Sequence, residues 1–584
     1  MSRFVNRVLI LCGITVAVSA GLTAQVVEQH DHAADGGVVC GSLSFDAEKA
    51  WEMVENTART RPELYQQMLR DAKRTDERRL VAGSDEEFKK TFYVQNQATG
   101  RFDEVEAVLK FNGVWSRIWV DVADTGRTVV KNAIKSLAPA LDVSTSSKSR
   151  NPDKGIVEND IEVFGEPPVN RFEPSSPAQD FLLTDIQDGL SSGFVGGFFS
   201  PWDQTNNPGS NQMNLLYIDA KEGLQGSISG LLSTVAHEFQ HLIHYRTNPN
   251  SQTLYNEGCS EVASILLGYK DRSNSDYLRG TNVPLFTWNY GNGTKLLVDY
   301  QRAMTLLYYL YEQYGEPFLT EFVKTRSENI QRITDALTAI GHDPDWQGTL
   351  TAYVVANYIG KDFDDSRYIY RNRLSTTVPT PSFSYSDAAE IPASGSAAVE
   401  QYASVYTSYS NPGALKVKFK ASGPYKVVAI LYKSSPTPVE VREMENDREY
   451  SFMYNDAEPF DKIVFAIANM ANYRQTVSWN VEQLTLGVDD LVADAGDAGL
   501  SAIAPNPASG SARVTFRNAN TGNVSMQLYD TKGELVRTVV EDRRYEAGEH
   551  EVTVNTDDLS NGVYMVRLAQ EGKVTSRVLV VLNR

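Results

Sequence analysis

The chain has 584 residues and a formal net charge of −19 at pH 7, with an isoelectric point near 5.0. So acidic a balance sets it against nucleic acid, whose phosphates need a basic surface, and favours a protein that stays in solution. At about one or two hundred residues per domain, the length calls for several domains.

Arg3 and Arg7 precede an apolar run, Val8 to Val18, and the small residues Ser19, Ala20, Thr23 and Ala24 follow it. That is the build of a secretory signal peptide over residues 1–24, with an apolar part too short for a membrane span. Cys12 follows the bulky Leu11 and comes too early for a lipoprotein site. No later run reaches eighteen consecutive apolar residues, so no transmembrane anchor is expected.

Residues 25–150 read as an N-terminal region or pro-segment. Its first part, to about residue 90, is polar and helix-prone. Strand-like runs follow at Lys90 to Asn96, Val105 to Phe111 and Trp115 to Val122, which predicts a small β unit ahead of the main domain. A helix is expected near Val129 to Leu141, and the Ser-rich Ser144 to Arg150 reads as a flexible or processed connection. Residues 151–376 then form the main α+β region.

Within it lies His237-Glu238-Phe239-Gln240-His241, inside the run Leu231 to Tyr245. Leu231, Leu232, Val235, Ala236, Phe239, Leu242 and Ile243 recur at helical spacing, so the pattern sits on an amphipathic helix. Residues four apart share a helix face, and His237 and His241 can therefore present two imidazoles to one Zn²⁺. Glu238, beside the first of them, is placed to take a proton from water attacking a carbonyl. His244 lies seven residues beyond His237, about 10.5 Å along the helix axis, too far to share the ion.

A third ligand is sought downstream, in Leu254-Tyr255-Asn256-Glu257-Gly258-Cys259-Ser260-Glu261, which opens a second apolar helix. Glu257 and Glu261 share a face. Glu257 is assigned as the ligand, and Glu261 as the carboxylate that orients a ligand histidine or as the alternative ligand.

With these residues in place the chain resembles a gluzincin, the class with HExxH and a later glutamate in Asn-Glu-Gly. Residues from about 155 to 320 are similar to the hyicolysin-like secreted bacterial peptidases, through His237 to Ile243, Asn256 to Glu261, Gly196-Gly197-Phe198-Phe199-Ser200-Pro201 and Leu215 to Asp219. Cys259 departs from the small or apolar residue usual there. The resemblance implies a thermolysin-like zincin fold and an edge strand, before the HExxH helix, on which an extended peptide docks. It also implies a transition-state donor, for which Tyr300, opening the helical run to Gly315, is the candidate.

Signal removal leaves Cys40 and Cys259, an even pair in an oxidising compartment that can form a disulfide. The sharper expectation is that Cys40 belongs to an N-terminal segment that holds or blocks the site near Glu257. His30, Asp31 and His32 read as a flexible mature terminus that can add metal affinity.

Past Val378 to Ser386, strands at Leu415 to Phe419, Tyr425 to Tyr432 and Lys462 to Ile467 predict a β-sandwich accessory domain over 396–486, which binds substrate or packs. An acidic linker, 487–502, leads to residues 503–584. There short strands, Ala512 to Phe516, Val524 to Tyr529, Leu535 to Val540, His550 to Val554, Val563 to Leu568 and Thr575 to Leu582, predict a second sandwich. Pro505-Asn506-Pro507, Leu528-Tyr529-Asp530 with Gly533, Gly548-Glu549-His550, Leu559 to Tyr564 and Lys573 resemble the type IX secretion C-terminal sorting domain. The resemblance implies the type IX machinery as partner, passage through the periplasm and outer membrane, and cleavage within the linker.

The sequence thus predicts a multidomain chain: an α+β zincin catalytic domain followed by two all-β sandwich domains. It reads as a secreted zinc endopeptidase acting on proteins or peptides, with one Zn²⁺ held by His237, His241 and Glu257. A Ca²⁺ is a further candidate, through Asp185, Asp188 and Asp203, although no EF-hand spacing occurs. The rival from another class is a surface-binding, adhesin-like protein with a structural zinc site, for which Glu238 would have no use. An aminopeptidase would need a Gly-x-Met-Glu-Asn motif that is absent.

Overall fold

The strands that read as a separate β unit are part of a larger sheet. In the computed structural model, which describes residues 38–42, 47–73, 88–190, 193–269, 273–290, 293–372, 374–454, 458–484, 499–530, 534–570 and 573–583, the chain divides into two compact units. The first comprises residues up to Arg272, Thr287–Leu307 and Leu319–Glu328. The signal peptide, His30 to His32 and residues 487–498 of the linker lie outside the described residues.

The first unit begins with β1 (Val38–Cys40), α1 (Ala47–Thr60), α2 (Pro62–Asp71), β2 (Lys89–Asn96), β3 (Arg101–Asn112) and β4 (Ser116–Asp121). Then come α3 (Thr128–Asp142), α4 (Ile156–Phe164), β5 (Gln179–Thr184), β6 (Phe194–Phe199), β7 (Leu215–Asp219), α5 (Ile228–Thr247) and α6 (Thr253–Leu266). One seven-stranded sheet runs in the order β1-β6-β7-β5-β4-β3-β2. β4, β5 and β7 pair in parallel. β5 and β7 are buried at every position, as parallel strands covered on both faces must be. This is why β2 to β4 cannot stand alone: β4, almost wholly buried, needs β5 beside it.

Phe92, Trp119, Leu182, Phe198 and Tyr217 pack on one face. α5 meets the opposite face, where a Cβ on Gly197 would come 2.9 Å from Thr234 Cγ2. Arg117 of β4 and Asp180 of β5, both wholly buried, pair through Nε–Oδ1 at 2.7 Å. Ser144 to Arg150 is tied rather than loose, since Arg150 N donates to Leu266 O at 2.8 Å and Thr145 N to Pro152 O at 3.0 Å.

The second unit takes Ser273–Phe286, Tyr308–Phe318 and Asn329 onward. It holds α7 (Ser275–Arg279), the end of α8 (Gly293–Tyr314), the start of α9 (Glu316–Lys324), α10 (Asn329–Ala339) and α11 (Trp346–Ile359). Next come β8 (Phe383–Tyr385), β9 (Ser394–Val399), β10 (Ser404–Ser410), β11 (Ala414–Ala421) and β12 (Tyr425–Tyr432). β13 (Glu440–Met444), β14 (Glu449–Phe452), β15 (Lys462–Asn469) and β16 (Gln475–Leu484) complete two sheets, β13-β12-β15-β10-β8 and β14-β11-β16-β9. They share a core of Tyr409, Phe419, Phe465 and Trp479. Tyr406 of this sandwich donates from its hydroxyl to Val354 O of α11 at 2.7 Å.

The last seven strands are β17 (Gly499–Ser509), β18 (Ser511–Asn518), β19 (Gly522–Tyr529), β20 (Leu535–Tyr545), β21 (Gly548–Asn555), β22 (Gly562–Gln570) and β23 (Lys573–Val581). Their order is β20-β19-β22-β23-β17-β18-β21. β17, hidden in the sequence by Pro505 and Pro507, joins the two halves. Its start pairs with β18, and Ala508 pairs with Val581 of β23.

Candidate metal centre

Ser227 caps α5 by accepting from Gly230 N at 3.0 Å, and the apolar stripe of the helix turns His237, Glu238 and His241 inward, all three buried. The Nε2 atoms of the two histidines lie 3.1 Å apart. Glu257 Oε2, from α6, is 3.3 Å from His237 Nε2 and 3.6 Å from His241 Nε2. A tetrahedral zinc bound at about 2.0–2.1 Å holds nitrogen and oxygen ligands about 3.3–3.4 Å apart. The three atoms therefore form one face of such a tetrahedron.

The donor set suits a cation in another respect. Glu257 is wholly buried, yet neither carboxylate oxygen accepts a hydrogen bond. A buried carboxylate without donors is costly, and a divalent cation between it and the imidazoles relieves that cost. In a protein without the ion a proton plays that part. Burial disfavours the charged form of His241, but Glu257, then Glu238, outweighs it and holds the ring up at about 9. Burial likewise raises Glu257, and the facing His241 and His237 overcome it, bringing the carboxyl down to about 2.

α6 reaches this position because residue 258 has no side chain. A Cβ there would meet Leu307 Cδ2 at 2.9 Å and Ala303 O at 3.0 Å. Around the three inward atoms lies a polar collar. Asn256 Oδ1 and Ser260 Oγ each lie 3.1 Å from His241 Nδ1, and Ser260 donates to Gln240 Oε1 at 2.6 Å. Glu261 Oε1 is 3.6 Å from His237 Nδ1. Asn256 and Ser260 escaped the sequence reading, although their helical spacing around Glu257 was visible.

The expected edge strand is not an edge. β7 lies inside the sheet, and the far side of β6 is paired in parallel with β1, Val38 against Phe194 and Cys40 against Gly197. This places Cys40 Sγ 3.5 Å from His241 Nε2. Ligand atoms of Cys40, His237, Glu238 and His241 all lie within 4.8 Å of one another. Ser42 donates from Oγ to Glu238 Oε2 at 2.6 Å, and Phe199 N donates to the same oxygen at 3.1 Å. Glu238 Oε1 is buried without a partner.

Cys40 and Cys259 are both buried, and no disulfide joins them. Burial, then the charges of Glu238 and Glu257, push the Cys40 thiol well up. Tyr300 is buried in a small cluster with Cys40, Leu296 and Trp288, its ring edge-on to Trp288 with centroids 5.2 Å apart. His244 is buried on α5 outside the metal-facing group.

The three aspartates considered for calcium do not converge. Asp203 is buried, accepting from Tyr217 Oη at 2.7 Å and Asn211 N at 2.7 Å, and Asp188 accepts from Val195 N. Asp185 lies instead near Asp219 and Glu222, where Asp219 already accepts from Ile186 N and Gly223 N.

Residues 502–582 match the secretion system C-terminal sorting domain, which supports a secreted protein and an interaction with the secretion machinery. A neutral metalloprotease of Staphylococcus hyicus, ShpI, is 26% identical over 162 residues, 26% of this chain and 33% of its own. The chain thus spans about a third of the length of that curated relative. Among solved structures, β-glucuronidases of Faecalibacterium prausnitzii and Dictyoglomus thermophilum align over 31% of this chain and 38% and 36% of theirs. Their identities are 10% and 8%, and both TM-scores are 0.13, too slight to bear on the fold. No described helix is long and apolar enough to cross a membrane.

Proposed function

We propose that this protein is a secreted zinc endopeptidase in which His237, His241 and Glu257 hold the metal and Glu238 is the general base. The observation that carries the reading is the buried triangle of His237 Nε2, His241 Nε2 and Glu257 Oε2, with sides of 3.1, 3.3 and 3.6 Å. The partial likeness to a metalloprotease agrees with it.

Zinc in that triangle would supply a Lewis acid that polarises a substrate carbonyl and acidifies water. Asn256 and Ser260 keep the proton of His241 on Nδ1, so that Nε2 offers its lone pair inward. Glu261 stands in the same relation to His237. Glu238 takes the proton of the attacking water on a carboxylate oxygen and returns it to the leaving amine. Phe199 N–H fixes one of its oxygens. The tyrosine donor remains assigned to Tyr300, which packs beside Cys40. β6, with its outer backbone groups, would accept an extended peptide as an added strand.

The test is cleavage of a mixed peptide library by processed protein beside Glu238→Gln, with zinc measured in both. Internal cleavage by the wild type alone at equal zinc supports the reading. Equal zinc with no cleavage by either protein rejects the enzyme in favour of a structural site on a surface-binding protein.

A further inference from the structure

The strand slot on β6 is filled by five residues, one of which brings its thiol to 3.5 Å from His241 Nε2 of the histidine–glutamate triangle. Val38, Val39 and Cys40 pair with β6, Gly41 N donates to Gly197 O at 3.0 Å, and the Ser42 hydroxyl binds the base. We infer that Val38–Ser42 is a built-in inhibitor, in which Cys40 Sγ is the fourth ligand of the metal and Ser42 occupies Glu238. This inference rests on the metallopeptidase reading above.

The distance fits a ligand. Zinc bonded to sulfur at about 2.3 Å and to nitrogen at about 2.0–2.1 Å sets the two atoms about 3.5 Å apart, which is the Cys40 Sγ–His241 Nε2 distance of 3.5 Å. Catalytic zinc sites keep the fourth position for water or substrate, whereas four protein ligands make a closed site. With Cys40 in that position no water can bind there. The Ser42 hydroxyl, at 2.6 Å from Glu238 Oε2, engages the carboxylate that would take a proton from that water.

Gly41 makes the seating possible. A Cβ at this position would lie 2.5 Å from Val195 Cγ1 and 2.9 Å from Phe198 Cβ, so any side chain lifts the segment from β6. The segment also spends the backbone groups of β6 that an extended substrate would need, which makes the block threefold: strand, metal and base. Cys40 binds as a thiolate, its proton going to solvent, and no bond of the chain is made or broken. Removal of the segment then exposes at one stroke the strand edge, the fourth coordination position and the base.

The inference is tested on the full secreted chain, loaded with Co²⁺ in place of zinc, as wild type, Cys40→Ser and Gly41→Val. Cobalt bound by a thiolate shows a sulfur-to-metal charge-transfer absorption in the near ultraviolet. The expected result is that band in the wild type, its loss in Cys40→Ser and Gly41→Val at unchanged cobalt per chain, and peptide cleavage without a lag in Gly41→Val. One cobalt per chain with no such band in the wild type, or an equal band in Cys40→Ser, overturns the inference while leaving the metal centre standing. No cobalt bound by any of the three rejects the metallopeptidase reading itself, and this inference with it.

Discussion

Asn256 Oδ1 accepts from His241 Nδ1 at 3.1 Å, one residue before the carboxylate that sits 3.6 Å from the other nitrogen of the same ring. One turn of α6 therefore sets both the orientation of an imidazole and the atom it faces. Groups that orient a metal-binding histidine typically change metal affinity about 10–100-fold when removed. Asn256→Ala is expected to weaken zinc binding by about that factor with little loss of fold. Competition against a chromogenic chelator would measure it; unchanged affinity would refute the role.

The His241–Glu257 pair gives the metal-free protein a defined pH window. His241 is raised from 6.5 to about 9, so its contribution to stability is full below 6.5 and fades as pH rises through about 9. Glu257 is lowered from 4.5 to about 2, so its contribution is full above 4.5 and fades as pH falls through about 2. Melting temperatures of chelator-treated protein should therefore carry the full benefit of the pair between pH 4.5 and 6.5 and lose it progressively towards about 9 and about 2.

The same pair couples metal to protons. At neutral pH His241 carries a proton that the metal must displace, so zinc binding to the Cys40→Ser protein should release close to one proton and strengthen with pH until about 9, with a second proton, from the Cys40 thiol, released in the wild type. Calorimetric titration in buffers of different ionisation enthalpy counts that proton. Zero protons released at pH 7 would contradict the assignment.

Gly258→Ala is expected to destabilise the protein by about 1–3 kcal/mol through overpacking, because the new methyl meets Leu307 Cδ2 and Ala303 O. The same shift would move Glu257, so zinc content should fall together with the melting temperature. A variant with normal zinc and normal stability would show that α6 has slack.

Asp180 receives Arg117 Nε at 2.7 Å, Arg117 Nη2 at 2.8 Å, Trp119 Nε1 at 2.8 Å and Asn170 Nδ2 at 2.7 Å. Asp180→Ala would leave the buried Arg117 guanidinium with Glu173 as its acidic partner and strip Trp119 Nε1 of its acceptor, at a cost of about 1–3 kcal/mol. Chemical denaturation is the check, and Asp180→Asn should lose less because part of the hydrogen bonding survives.

The HExxH helix and the helix after it were legible because their apolar residues keep the 3.6-residue period, and the histidines and glutamates fall on its inward face. Most strands of the last domain were readable from alternating apolar residues between turn residues. Other features depend on contacts that no local pattern records. Nothing in Val-Val-Cys-Gly-Ser announces a parallel partner more than 150 residues away. β2 to β4 look self-sufficient until β5 is seen to cover the flank of β4. β17 is masked by two prolines, which sit where it passes from one sheet to the other.

β23 lies between β22 and β17, so the last strand of the C-terminal domain is an interior one. β22 and β17 are joined in the sheet only through that strand. A polypeptide cut short before Lys573 would leave β22 and β17 each with a bare edge, and would offer the export apparatus no finished surface to recognise. The order of the strands thus makes the fold of this domain depend on residues 573–581. Truncation before Lys573 should abolish folding of this domain and export together, measurable as protease sensitivity and retention inside the cell.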